Sequence, residues 1–333
     1  MLEHMMLHRE IFICPICGGD LDITPCTVSC RKCDHDFPVQ DGIPLLFCHD
    51  KTAAHPGDVT DIVKSFYEES PFPDYDGFEN AGDLIQRAQK APFTRLLNKQ
   101  IPFNVRVLEV GCGTGQLSNF LGIARRTVFG ADMCVNSLKL AADFKRKNGL
   151  NNVGFYQMNL FNPVFKEESF HLVVSNGVLH ATSNPFAAFQ SIARLVKTGG
   201  YIIIGLYNTY GRIGTDIRRV IFNVSGGRFQ SLDPHLRKSM GARKKRSWFM
   251  DQYKHPHESK HTIGEVLDWF DKTGFMFING IPKTRFLAEL KDDERIFAPN
   301  QPGNKLDHFL VQMAMMFSGS KEGGLFVMIG KKI

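Results

Sequence analysis

Three groups of residues in this chain have the types and spacing to do chemistry. Cys14 and Cys17 form one C-x2-C pair and Cys30 and Cys33 a second, with twelve residues between them. Two thiolates on each tight turn, facing one another, build a tetrahedral sulfur site for Zn2+. Four thiolates close such a site, so the metal is expected to be structural; Cys26 lies outside both pairs. The second group is Gly111-Cys112-Gly113-Thr114-Gly115, preceded by Glu109. Its glycines let the backbone bend sharply and approach a ligand, while the N–H groups of a following helix point into the same space, as a nucleotide-like ligand requires. The third is the stretch 251–258, Asp251-Gln252-Tyr253-Lys254-His255-Pro256-His257-Glu258. A histidine there could take a proton from an oxygen or nitrogen nucleophile with a carboxylate to orient it, which makes Tyr253, His255 and His257 catalytic candidates; a polar surface connection would have the same composition.

Spacing decides which nucleotide the glycine turn suits. A dinucleotide turn would read G-x-G-x-x-G, but Gln116 stands three residues after Gly113, and no Gly-Lys-Ser/Thr follows to make a phosphate loop. Glu109 would repel a pyrophosphate and attract a cation. The pattern E-x-G-x-G-x-G over 109–115 resembles the first motif of class I S-adenosylmethionine (SAM) methyltransferases, whose ligand carries an ammonium and a sulfonium. The resemblance extends to the end of the fifth expected strand and implies SAM as cofactor, with Glu109, Gly111, Cys112, Gly113 and Gly115 at its methionine end. Asp132, twenty-one residues past Gly111, ends an apolar run and is placed to accept hydrogen bonds from both ribose hydroxyls. Met133 would lie along the adenine, or simply pack. The resemblance implies an aspartate at the end of the third strand to recognise the adenine amino group; this chain has Asn159, followed by Leu160, an amide that can both accept and donate. Asn176-Gly177-Val178-Leu179-His180 is similar to the family segment lining the methionine end, with His180 either a catalytic or a packing residue. A helix and loop over 59–78 would fold over the cofactor as a lid, with Tyr67 and Tyr75 touching it or packing the lid down.

These residues need a frame. Apolar runs bounded by turns place strands at 105–110, 127–132, 153–157, 170–175, 201–206 and 323–329, and periodicity places helices at 83–99, 136–147, 184–196, 261–270 and 305–316. The implied fold class is α/β, a Rossmann-like seven-stranded methyltransferase sheet with a small N-terminal zinc ribbon. Residues 37–46 add a hairpin turning at Asp41-Gly42. The cysteine pairs with this FPVQDGIPLL stretch resemble the small zinc-ribbon proteins that bind and activate tRNA, rRNA and release-factor methyltransferases, here fused to the enzyme; a scaffold or partner-docking role is implied. The expected organisation is a ribbon over 1–47, a linker over 48–60 and a methyltransferase domain over 61–333 with an insertion at about 207–262.

Composition excludes several classes. The chain has 333 residues, 43% hydrophobic and 22% charged, as an ordinary soluble protein has. It has no run of eighteen apolar residues, hence no expected transmembrane segment, and its N-terminus lacks a signal-peptide core, so a cytoplasmic location is expected. Five of its eight cysteines fall within 14–33, which favours reduced thiols and a metal over disulfides. The insertion holds twelve basic and four acidic side chains, an excess larger than the +6 of the whole chain. Such a region could meet RNA, a phosphorylated small molecule or a lipid surface, or be solvated helix. Tyr207, at the carboxyl end of the fifth strand, would face the transferred methyl. The expected function is methyl transfer from SAM to an O, N or C nucleophile of a small molecule of secondary or quinone-like metabolism. A tRNA or rRNA nucleoside is the alternative acceptor, and a non-catalytic SAM-binding or methyltransferase-partner module the reading from another class.

Overall fold

The apolar, β-branched runs become strands buried on both faces. The computed structural model describes residues 2–49, 58–73, 75, 78, 80–237, 241–318 and 323–333. The chain begins with α1 (Leu2–Leu7) and a four-stranded antiparallel sheet, β1 (Leu21–Ile23), β2 (Thr27–Cys30), β3 (Asp36–Gln40) and β4 (Ile43–Pro44), in sequential order. The hairpin turn falls at Asp41-Gly42, where both residues have positive φ, as a tight two-residue connection demands. Most of the expected linker, including Pro56, Gly57 and the turn they would make, lies outside the described residues.

Next come α2 (Thr60–Glu69), α3 (Ala81–Lys90) and α4 (Pro92–Gln100). The single helix expected over 83–99 is thus two. Pro92 lacks the N–H to continue α3 and holds Ala91 extended, while Asn80 and Asp83 cap the start of α3 reciprocally. The remainder alternates: β5 (Arg106–Val110), α5 (Gln116–Ile123), β6 (Thr127–Asp132), α6 (Val135–Lys147), β7 (Val153–Gln157), β8 (Phe170–Asn176), α7 (Pro185–Ala193) and β9 (Val196–Tyr207). After β9 the insertion folds as α8 (Ile213–Val224) and α9 (Ala242–Tyr253), followed by α10 (Ile263–Lys272), β10 (Phe275–Ile281), α11 (Lys305–Ser318) and β11 (Leu325–Lys332). The seven-stranded sheet has the order β10-β11-β9-β8-β5-β6-β7, parallel except for β11, which runs antiparallel to both its neighbours. Sequence periodicity misses β10 because a bulge between Phe277 and Asn279 breaks its alternation.

Alternate residues serve opposite faces. Leu108, Val110 and Val173 enter one core, Val107, Leu172 and Val174 the other. The first core does not stop at the sheet. It runs through Phe129, Tyr156 and Phe165 into Phe12, Cys14, Cys30 and Phe37, so the cysteine-bearing sheet and the large sheet share one interior. Leu45 bridges to Gln157, Leu46 donates its N–H to the Gln157 carbonyl (3.2 Å), and His4 on α1 bonds Tyr156 (2.8 Å).

Candidate active site

The carboxyl end of β5 breaks into the glycine turn. Gly111, Gly113 and Gly115 all have positive φ, and a Cβ on Gly113 would come within 2.5 Å of the Phe72 carbonyl, so only glycine leaves room there. Asp132, at the end of β6, accepts from the N–H of Gly113 and of Cys134, both at 2.8 Å. Its carboxylate has lone pairs left for two further donors. Burial raises its pKa, and those two N–H bonds oppose the rise. Glu109 accepts from the Ser118 hydroxyl at 2.5 Å; burial pushes its carboxyl up to about 7 against that hydrogen bond.

One cavity of about 770 Å3 opens over this turn. Met133, Met158, Asn159, Leu160 and Phe161 line one end, Glu109, Gly111, Cys112, Gly113, Asp132 and Asn176 its middle. Tyr67, His180, Tyr207, Trp248, Asp251, Gln252 and His255 line the other end. Gly115 packs instead against Phe155 and Ala141, where it allows α5 and α6 to approach the sheet. Asn159 donates to the Cys48 carbonyl (2.9 Å) and accepts from Phe161 N–H (3.1 Å). It therefore ties down the chain leaving the ribbon, with one amide hydrogen and one lone pair still available to a purine. Tyr75, by contrast with Tyr67, stacks on Phe144 at 4.9 Å and bonds Asn119, holding the lid segment to α6 and α5.

The far end is built from residues distant in sequence. Tyr67 on α2 donates to Asp251 on α9 at 2.9 Å; Gln252 donates to the other Asp251 oxygen at 2.8 Å and to Tyr207 at 2.9 Å. Tyr207 lies between His180, whose ring is 4.1 Å away, and Arg212, whose guanidinium sits 3.7 Å over the other face. Burial lowers His180 to about 3, which keeps its ring neutral near pH 7 and makes it a weak base. The three candidates from 251–258 separate: His255 lines the cavity, Tyr253 donates to Asp233 and accepts from Arg218 inside the insertion, which forms a cap over the cavity, and His257 contacts the Thr182 carbonyl. Asp251, Gln252, Trp248 and His235 went unselected from sequence. The spacing of three between Trp248 and Asp251 is the signal that places those two on one face of α9, with His255 following just past its end.

Part of the basic insertion is wired inward, while Arg228, Arg237, Arg243, Arg246 and Lys254 stay exposed. Arg212, fully buried, bonds Glu258 through Nε (2.9 Å) and Nη2 (2.6 Å), and Gln252 and the Gly323 carbonyl through Nη1. Arg219 reaches the same Glu258 oxygen at 2.9 Å, and Lys260 pairs with Asp216 at 2.5 Å. Lys238 lies outside the described residues. Burial would raise Glu258, but Arg212 and then Arg219 hold it down at about 2. Replacing Glu258 by Gln leaves Arg212 buried without its charge partner, which should cost about 3–5 kcal/mol. Urea denaturation measures it; a loss under ~1 kcal/mol would mean the pair is dispensable.

The four thiols of the N-terminal sheet gather with all Sγ atoms within 4.8 Å, as in no other group of potential ligands among the described residues. Cys14 and Cys33 are 3.8 Å apart, Cys17 and Cys30 3.4 Å. The N–H groups of Ile16 and Lys32 each donate to a sulfur at 3.4 Å. Zn–S bonds of about 2.3 Å fit a cluster of this size.

Comparison with known proteins completes the picture. Residues 103–274 match the family model described as a methyltransferase domain. The ubiquinone biosynthesis O-methyltransferase of Paracidovorax citrulli is 32% identical over 106 residues, covering 31% of this chain and 44% of that protein. The EEF1A lysine methyltransferase 2 of Mus musculus is 28% identical over 137 residues, covering 38% and 53%. The chain thus spans about half the length of these relatives. Among solved structures, the magnesium protoporphyrin IX methyltransferase of Synechocystis PCC 6803 with bound SAH superposes with a TM-score of 0.48 at 14% identity, over 82% of this chain and all of that one.

Proposed function

The chain belongs to the methyltransferase-domain family, and on that premise we propose that it is a SAM-dependent methyltransferase acting on a small molecule and carrying a structural zinc ribbon. The observation that carries the proposal is the single cavity joining Asp132 and the glycine turn to Tyr207 and Asp251. Its residues fit the cofactor: a strand-end carboxylate with free lone pairs, a turn where a Cβ would clash, and a buried acid at the methionine end. SAM bound there supplies an electrophilic methyl on a positively charged sulfur.

The residues of the chain do the rest. Asp132 holds the ribose hydroxyls, Met133 and Leu160 flank the adenine, and the remaining amide hydrogen and lone pair of Asn159 face its edge. Glu109 attracts the amino group and Asn176 bounds the methionine end. Tyr67 and Trp248 on the lid and cap close the acceptor end against water, while Tyr207 and Gln252 fix its position. Holding an acceptor in line with the methyl can supply roughly 7–11 kcal/mol of the barrier. The ribbon, packed into the enzyme's own core, serves as an internal scaffold.

A cation held against Glu109 favours its ionised form. SAM affinity should therefore rise with pH through about 7, with proton release on binding. Without ligand the sign is opposite: the stability contribution of this raised acid is full below its ordinary carboxylate pKa and is lost as pH climbs through about 7. Calorimetry in two buffers of different ionisation enthalpy reads the proton release; an affinity flat across that window removes Glu109 from the site.

RNA is the second reading, and it is weakened by the inward pairing of Arg212, Arg218, Arg219 and Lys260. No helix among the described residues is long and apolar enough to cross a membrane. Incubation with methyl-labelled SAM and separate RNA and metabolite extracts tests the choice. Label in the metabolite fraction is expected. Label in RNA overturns the small-molecule assignment, and SAM binding with label in neither overturns the enzyme.

A further inference from the structure

We propose that the acceptor is a planar ring bearing a hydroxyl group, and that Asp251 is the residue that takes the proton of that hydroxyl. This rests on the methyltransferase reading and adds the acceptor chemistry and its base. Asp251 is 9% exposed and lines the acceptor end of the cavity. Its two oxygens are each held by one neutral donor, Tyr67 from the lid and Gln252 from the cap, and the ion pairs of the described residues do not include it. Arg212, a buried cation whose charge acts on Asp251, is committed to Glu258. A buried carboxylate fixed in direction but left without a charge partner is costly unless something uses it. Its remaining lone pairs suit a donor arriving in the cavity.

The surroundings specify the donor's shape. Trp248 and His235 stack at 4.2 Å and 15°, forming a flat shelf on the cavity wall, and Tyr67 adds a further aromatic side chain to that wall. His255, on the same wall, has its Nε2 buried without a hydrogen-bond partner. A flat ring would lie among these faces, one oxygen at Asp251 and a second ring substituent within reach of His255.

The step balances. The ring O–H bond breaks and its proton passes to an Asp251 oxygen; the freed oxygen lone pair forms the O–C bond as the C–S bond breaks, and sulfur leaves as a neutral thioether. Burial raises Asp251, and Tyr67, His255, Gln252 and Arg212 oppose the rise. The titratable or charged groups facing it are Tyr67 from α2, Tyr207 from β9, His255 just past α9, and the Arg212–Glu258 pair behind. A base with a raised pKa is the better matched to a weakly acidic ring hydroxyl.

The test uses the full zinc-loaded chain and nitrocatechol, an acidic ring hydroxyl whose visible band reports its ionisation. In the wild type with SAH present, the bound probe should be ionised at a pH where the free probe is not; in Asp251→Asn that shift should vanish while SAM affinity stays within about threefold. With an unactivated catechol and SAM, Asp251→Asn should lower kcat about 10^2- to 10^4-fold, with the loss shrinking for nitrocatechol and partly restored in Asp251→Glu. Failure of the wild type to bind SAM sinks the parent reading and this proposal with it. SAM binding with an unshifted probe band, or a kcat loss independent of acceptor acidity, overturns the proposal alone. Should Asp251→Asn not fold, the wild-type rate must still show an acidic limb, and a flat profile overturns it.

Discussion

Alanine at position 132 should weaken SAM binding by about a hundred- to ten-thousand-fold, the loss of two charge-assisted hydrogen bonds worth roughly 1.5–3 kcal/mol each. The structure concentrates that loss on one side chain. Asp132 closes the glycine turn through Gly113 N–H and opens α6 through Cys134 N–H, so its removal frees the turn as well as the ribose contact. Asp132→Asn separates the two effects. It keeps one oxygen acceptor and the shape, and should recover part of the turn geometry but little of the affinity, because the amide half repels a donor. Calorimetric titration reads the affinity. A dissociation constant for Asp132→Ala within threefold of wild type would remove the ribose assignment.

Removing the metal should have the second large effect. Structural zinc supplies about 10–16 kcal/mol of folding free energy in small domains, comparable with the whole stability of an ordinary protein. Cys30→Ser, or a strong chelator, should melt β1 to β4 and leave Cys14, Phe12 and Phe37 without a fixed partner. Those side chains share a core with Phe129 and Phe165, and Asn159 is anchored on the Cys48 carbonyl, so the damage should reach the adenine end. The expected result is one zinc per chain by elemental analysis, a lowered melting temperature on chelation and a parallel loss of SAM affinity. A metal-free protein with unchanged melting would refute the structural role.

What the sequence made legible was local. The glycine turn, Glu109 and the two cysteine pairs lie within short windows, and Asp132 is fixed by the rule that ligands meet strand ends. Five of the six parallel strands announce themselves as apolar runs, β10 being the exception. The acceptor end was not legible in that way. Tyr67 and Asp251 meet across 184 residues, and Arg212 and Glu258 across 46. Charge counting over 207–262 marks a basic surface, whereas several of those charges fold inward onto Glu258 and Asp216. Tyr253 and His257 share a dense polar stretch with His255, yet α9 ends at Tyr253 and of these three only His255, in the segment after it, lines the cavity.

The hairpin of the ribbon has one more consequence, for solubility. β7 ends the order of the large sheet, all five of its residues are buried, and an uncovered strand of that kind is a template for pairing with another molecule. Leu45 and Leu46 occupy that border, with α1 alongside. The proposed zinc would thus also guard the sheet's rim: a chain stripped of it should expose an apolar strand as its adenine end loosens, and should be prone to aggregate rather than persist as an inactive monomer.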